Sequence, residues 1–289
     1  MRRESNFFAK FTIFIGILFI IFVISNYGIK VSKENVISRK IGPGFSSFKI
    51  LQISDLHSAE FGDNNSRLIR KIDNENPDII VMTGDMVSTS DTSYDVFYSL
   101  ASNLASRYPT YYIVGNHEQN LKDEKKDGMI EYLSSINIRV LDNEKVTIEN
   151  GNEKINLYGM WFNLRYYKDL NNEETKDYNF DLDSMVEILG EANKDEYNIV
   201  LTHNPVYADT YSQWGADLVL SGHLHGGMVY VPFVGGLFSP EKEWFPKYYG
   251  GRYSIDNMDL IVNKGLGNGQ MGFRVFNTPE ISTITLTPE

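Results

Sequence analysis

From residue 48 onward, apolar runs alternate with amphipathic stretches. Residues 48–54 (FKILQIS), 78–83 (DIIVMT) and 110–114 (TYYIV) predict buried strands. Between and after them, residues 66–76, 94–108 and 127–136 predict helices, the second with its apolar positions at helical spacing. Strands alternating with helices in this way predict an α/β layer architecture with largely parallel pairing. Residues 139–160 break the rhythm and predict successive short strands with a hairpin turn at 150–152. A polar loop is expected at 165–180 and a helix at 182–193. Further strands are expected at 198–201, 216–220, 228–232, 259–263 and 281–289. No Pro- or Gly-rich linker interrupts residues 48–289, so they are expected to form one domain.

The N-terminal pattern is different in kind. Residues 11–24 are apolar, and the uncharged stretch runs on to Ile29. About 20 such residues span a bilayer, so 11–29 is expected to be a transmembrane anchor behind a short tail, 1–10. A cleaved signal peptide is the main rival, and a buried core helix the other. Arg2, Arg3 and Lys10 precede the segment and suit an N-inside orientation, although Lys30, Lys33, Arg39 and Lys40 follow it. The chain is therefore expected to be a single-pass protein of the cell membrane with an extracytoplasmic domain. Residues 30–47, polar and carrying Gly42, Pro43 and Gly44, are expected to be a juxtamembrane tether.

Composition narrows the chemistry. The 289 residues are 42% hydrophobic, enough for a packed core. The formal net charge of −11 argues against a nucleic-acid partner, which usually meets a basic surface. It leaves room for a phosphorylated substrate, because bound cations reverse the field locally. With no cysteine, disulfides, thiolate zinc sites and cysteine nucleophiles are excluded.

Candidate chemistry gathers where strands end. The predicted strands run into Asp55-Leu56-His57, Gly84-Asp85, Gly115-Asn116-His117-Glu118, Thr202-His203 and Ser221-Gly222-His223-Leu224-His225. Ligands of open α/β sheets bind at the C-terminal ends of strands. The chain has five histidines, and all of them fall at such ends. An aspartate in this position can also cap the next helix, as Asp85 could. In extended chain, Asp55 and His57 project to one face, as paired ligands would. Mixed imidazole, carboxylate and amide donors suit Mn, Fe, Zn or Co. The spacing of His223 and His225 alone allows a single shared ion.

The set D-x-H, G-D, G-N-H-E, a later H and G-H-x-H, in this order, resembles the calcineurin-like metallophosphoesterase superfamily. Residues 231–240 (VPFVGGLFSP) and 263–281 further resemble a bacterial group of membrane-associated phosphodiesterases and UDP-diacylglucosamine pyrophosphatases. The resemblance implies a four-layer α/β/β/α sandwich over 48–289 and two divalent metal ions. One ion would be held by Asp55, His57, Asp85 and His225, the other by Asp85, Asn116, His203 and His223. Such a pair orients phosphoryl oxygens and activates a water for attack on a phosphodiester or pyrophosphate bond. His117, left free of metal, is then the expected general acid, with Glu118 orienting it or tuning its pKa. Arg274 is expected to contact a substrate phosphate, or else to form a structural ion pair. The aromatic and glycine-rich stretch 232–253 predicts a loop over the sheet edge. Alternatively it predicts a lid or membrane flap with Trp244 and Phe245 at the lipid interface. The expected partners are a phosphorylated small molecule or lipid-linked substrate and the bilayer. A non-catalytic metal-binding scaffold and a metal-dependent nuclease are the competing functions.

Overall fold

The computed structural model describes residues 2–167, 179–227, 229–269 and 272–289, with side chains from Phe8 on. In chain order the elements begin with α1 (Arg2–Tyr27), β1 (Lys30–Ser38), β2 (Lys49–Ile53), α2 (Ser66–Glu75), β3 (Ile79–Met82) and α3 (Asp95–Ala105). Next come β4 (Thr110–Tyr112), α4 (Asn116–Gln119), α5 (Asp123–Ser135), β5 (Ile138–Val140), β6 (Glu144–Asn150) and β7 (Glu153–Met160). The second half holds α6 (Leu182–Leu189), β8 (Asn198–Thr202), α7 (Ala208–Trp214) and β9 (Leu218–Ser221). It closes with β10 (Tyr230–Val231), β11 (Gly235–Gly236), β12 (Gly251–Ile255), β13 (Met258–Val262) and β14 (Glu280–Pro288).

Two six-stranded sheets, ordered β1-β14-β2-β3-β4-β5 and β12-β13-β9-β8-β7-β6, lie face to face. The period-2 alternation of the strands makes the layers. Ile79 and Val81 of β3 point between the sheets, as do Ile199 and Leu201 of β8. Ile80 and Met82 point the other way, onto Leu68 and Ile72 of α2 and Phe97, Leu100 and Leu104 of α3. Val200 and Val219 face Met185, Ala208, Tyr211 and Trp214 on α6 and α7. The result is the expected α/β/β/α sandwich. β2 through β5 are mutually parallel, and so are β7, β8, β9 and β13. The ends of β2, β3, β4, β8 and β9 therefore meet along one edge of the sandwich.

Several expectations change. Residues 30–38, expected as part of a tether, are the edge strand β1, paired parallel with β14 from Lys30 to Ser38. KVSKENVIS buries only Val36 fully, so its strand character depends on backbone pairing and leaves little apolar signal. Ile29, expected within the membrane segment, packs into the helix-side core. α6 stops at Leu189 because Gly190 turns at φ 75°, short of the expected 193. α7 and β12 were not expected at all. Most of the loop anticipated at 165–180 lies outside the described residues.

α1 is apolar from Phe8 to Tyr27, long enough to cross a bilayer, and most of its side chains are exposed.

Candidate metal centre

Each ligand candidate is delivered by a turn that leaves a strand abruptly. Asp55, His57, Asp85, His223 and His225 all have positive φ, between 46° and 71°. Non-glycine residues avoid this region unless their surroundings over-determine it, and such residues cluster at functional sites. The extended geometry expected for Asp55 and His57 is thus replaced by a left-handed turn that buries Leu56. Backbone bonds fix the turns: Asp55 N–H donates to Gly84 O and His57 N–H to Asp85 O, both at 3.0 Å. His223 N–H donates to the Asp55 carboxylate at 3.0 Å. Gly222 permits this approach, since a Cβ there would collide with Ser54 and the Asp55 carboxylate.

The side chains converge in three overlapping groups, two of which share Asp85: Asp55, His57 and His225; His57, Asp85 and His117; and Asp85, His203 and His223. His225 Nε2 lies 3.2 Å from His57 Nε2 and 3.4 Å from Asp55 Oδ1. His203 Nε2 lies 3.1 Å from Asp85 Oδ2, and His223 joins that pair within 4.8 Å. His57 Nε2 is 3.8 Å from Asp85 Oδ2, so this carboxylate faces both His57 and His203. Donors at about 2.0–2.1 Å from one ion stand roughly 3.0–3.4 Å apart, and the shortest spacings here fall in that range.

Two further observations favour cations. Asn116 Oδ1 and His225 Nδ1 are buried without a hydrogen-bond partner among the described residues. A buried polar atom so left calls for a ligand. The imidazoles are also held from behind, as metal-binding histidines are. His203 Nδ1–H donates to Thr83 O at 2.7 Å, His57 Nδ1 meets Ser88 Oγ at 3.1 Å, and His223 Nε2 meets Glu241 Oε1 at 3.2 Å.

The electrostatics agree. Burial opposes charge on His203, but Asp85 and Asp55 outweigh it and raise the imidazole to about 10. Burial lowers His57 against the opposing pull of Asp85 and Asp55, and it lowers His225 more strongly, with His57 and Arg274 adding to it. The Asp85 carboxyl, despite burial, is held well below its usual range by His203 and His57. The two carboxylates thus favour positive charge beside them, and a divalent cation serves that demand as a proton does.

Residues 48–227 match the calcineurin-like phosphoesterase family. The chain belongs to it. Phosphodiesterase YaeI of Escherichia coli is 30% identical over 83% of this chain and 82% of its own length. Metallophosphoesterase YkuE of Bacillus subtilis is 27% identical over 89% and 85%. A bovine transmembrane protein with a metallophosphoesterase domain is 27% identical over 71% of this chain and 48% of its own length. The protein is thus a phosphoesterase with side-chain groups suited to divalent metal.

The remaining residues are placed less as expected. His117 joins His57 and Asp85 in one of the groups, its ring 4.7 Å from that of His57 and perpendicular to it. Glu118 does not orient it. The Glu118 carboxylate is buried and accepts N–H bonds from Asp85 (2.9 Å), Met86 (2.6 Å), Val87 (3.2 Å) and Gly115 (2.8 Å). It clamps together the turns that carry Asp85 and Asn116. Burial, reinforced by Asp85 and opposed by the backbone donors, raises it to about 7. His117 is oriented instead by Thr89, whose N–H donates to Nδ1 at 3.0 Å. Nδ1 must then be an acceptor, which puts the proton of the neutral ring on Nε2.

Arg274 is buried, with its Nε donating to Gly267 O at 3.1 Å and Nη2 reaching the same oxygen. Its Nη1 has no partner among the described residues. Thr89 and Glu241 are the residues that sequence reasoning missed. Glu241 is a buried carboxylate from the aromatic stretch, and it also accepts from Asn204 Nδ2 at 2.9 Å, next to His203.

Proposed function

We propose that the chain is a membrane-anchored phosphohydrolase that uses two divalent ions to cleave a phosphodiester or pyrophosphate bond. The anchor is α1, and the catalytic domain follows it outside the cytoplasm. One ion is assigned to Asp55, His57, Asp85 and His225, the second to Asp85, Asn116, His203 and His223. When bound, such a pair supplies Lewis acidity and an activated water.

The chain's own groups do the rest. Asp85 stands in both ligand sets, and Glu118 holds its backbone so that this geometry persists while substrates come and go. As general acid His117 donates from Nε2 as the imidazolium and is left neutral, its Nδ1–H in the charged form being accepted by Thr89 Oγ1, 3.2 Å away. Substrate contact by Arg274 would have to use Nη1. A lipid- or nucleotide-linked pyrophosphate fits both the anchor and the aromatic rim.

The observation that carries this reading is the division of labour among the histidines. All five stand in Asp-bearing groups, His117 with His57 and Asp85, but of the five only His117 accepts a backbone N–H on a ring nitrogen among the described residues. The test is a leaving-group series on metal-loaded wild type and His117→Ala. The variant should retain its metal, slow modestly on nitrophenyl esters and slow far more on alkyl esters. Equal losses across the series would show that His117 donates no proton.

A further inference from the structure

The strand β1 stands where a tether was expected. α1 ends at Tyr27 and β1 starts at Lys30, with Ile29 already in the core. The foot of the helix is clamped to the domain at several points. Asn26 Nδ2 donates to Arg274 O at 3.0 Å, and Arg274 N–H donates back to Asn26 Oδ1 at 2.8 Å. Arg67 Nη2 donates to Tyr27 O at 2.8 Å, and Lys30 N–H to Pro279 O at 2.8 Å. A helix held in this way fixes the domain's height and tilt on any bilayer it crosses.

The clamping loop is also a wall of the site. Gly267 N–H donates to Asp55 O at 2.7 Å, Arg274 grips Gly267 O, and Asn277 Nδ2 donates to His225 O. One loop thus touches the helix foot on one side and two ligand candidates on the other.

What surrounds the foot is apolar and exposed. Phe273 and Phe276, at 44% and 43% exposure, flank the buried Arg274. Val275 pairs with Val229, and Tyr230 N–H donates to Val275 O at 3.2 Å, which starts the β10–β11 hairpin there. That hairpin ends in Pro232, Phe233 and Val234, with Phe233 fully exposed and Val234 at 58%. Tyr27, next in the chain to the Asn26 that bonds Arg274, is exposed as well. Large apolar side chains gathered on one surface mark an interaction face, and aromatics favour the membrane–water boundary.

We infer that Tyr27, Phe273, Phe276, Phe233 and Val234 form one face that rests in the interface of the bilayer α1 crosses. The occupant is the lipid surface itself, because the face is continuous with the foot of an apolar helix. The metal groups then open a single loop away from the lipid headgroups. Trp244 and Phe245 are also exposed, but among the described residues no bond ties them to the helix foot, and they lie outside this face. The inference rests on α1 being a membrane anchor.

The absence of cysteine makes the test direct. Single-cysteine variants of the full chain (Phe14→Cys, Phe233→Cys, Phe276→Cys and Asn152→Cys) are spin-labelled in phosphatidylcholine–phosphatidylglycerol vesicles. Collision with oxygen is then compared with collision with a water-soluble nickel chelate. Asn152 is the distal control. β1 carries the chain roughly 30 Å from the foot at about 3.3 Å per residue, and Asn150 then bonds Gly44 O beyond its far end.

The expected result is a lipid signature at 14, an interfacial one at 233 and 276 with a severalfold higher oxygen-to-nickel ratio than at 152, and an aqueous one at 152. An aqueous signature at 233 and 276 with position 14 in lipid overturns the inference and leaves the anchor standing. An aqueous signature at 14 as well removes the anchor and this inference with it. Labels at 233 and 276 shielded from both reagents would show that another protein surface covers the face, which also overturns it.

Discussion

Asp85 and Phe233 share a left-handed backbone, at φ 55° and 69°, in opposite surroundings. Asp85 is buried, its N–H is held by Glu118, and its Oδ1 accepts the His117 N–H at 2.8 Å. Phe233 is a bare hairpin tip with its ring in solvent. Such a conformation costs about 1–3 kcal/mol at either place. At Asp85 the cost is met by a carboxylate buried to receive backbone donors; at Phe233 the chain simply turns. The floor of the site is therefore over-determined, as a cluster built for fixed geometry must be. The rim is lightly held, as a surface that meets a varied or fluid partner can be.

That contrast predicts a graded series of effects. Asp85→Asn should bring hydrolysis to background and remove bound metal together, read by turnover beside elemental analysis. Retained activity would mean that the two ions do not depend on a shared carboxylate. His117→Ala should cut turnover by about 10²–10⁴-fold, the usual range for a positioned general acid, with metal content unchanged. Loss of metal in that variant would move His117 into the ligand set.

Glu118→Ala leaves buried N–H groups of Asp85, Met86, Val87 and Gly115 without an acceptor. Unfolding by denaturant should show a loss of about 3 kcal/mol or more, with Glu118→Gln milder. A neutral Glu118→Ala would show that the turn is held by other bonds. Glu241→Ala should weaken metal binding about 10–100-fold, the usual effect of removing an outer carboxylate from a ligating histidine. Chelator competition reads this directly, and wild-type affinity would make Glu241 a packing residue only. At the rim, Phe233→Ser should leave stability within about 0.5 kcal/mol and turnover of a soluble ester unchanged. A large loss of either would show that the hairpin tip supports the floor after all.

The same contrast explains what could be read from the chain. β3, β8 and β9 were legible because buried parallel strands are continuous apolar runs, and the ligands stand at their ends. Strand–helix alternation predicted an α/β layer architecture, and the four-layer order came from the family resemblance. β1 was not legible, because one fully buried valine in nine residues looks like solvent-exposed linker. α7 escaped because ADTYSQW lacks a clean helical stripe, although Ala208, Tyr211 and Trp214 are all buried on one face.

Within the site, residue types were visible and partnerships were not. The family resemblance implied that Glu118 orients the His117 ring or tunes its pKa. The first turn of α4 instead sends the two side chains in different directions, and Glu118 becomes a backbone clamp. Thr89 and Glu241 gave no signal, because their roles depend on segments brought together from 28 and 18 positions away. The left-handed turns at Asp55 and His57 were equally hidden, since glycine is the residue that usually announces such a backbone.

The central claim is that His223 and His225, one residue apart, serve different ions on either side of Asp85. Anomalous diffraction from crystals of the full chain soaked in manganese tests it most directly. The account predicts two peaks, one beside His225, His57 and Asp55 and the other beside His223, His203 and Asn116. A single peak contacted by both His223 and His225 would contradict it.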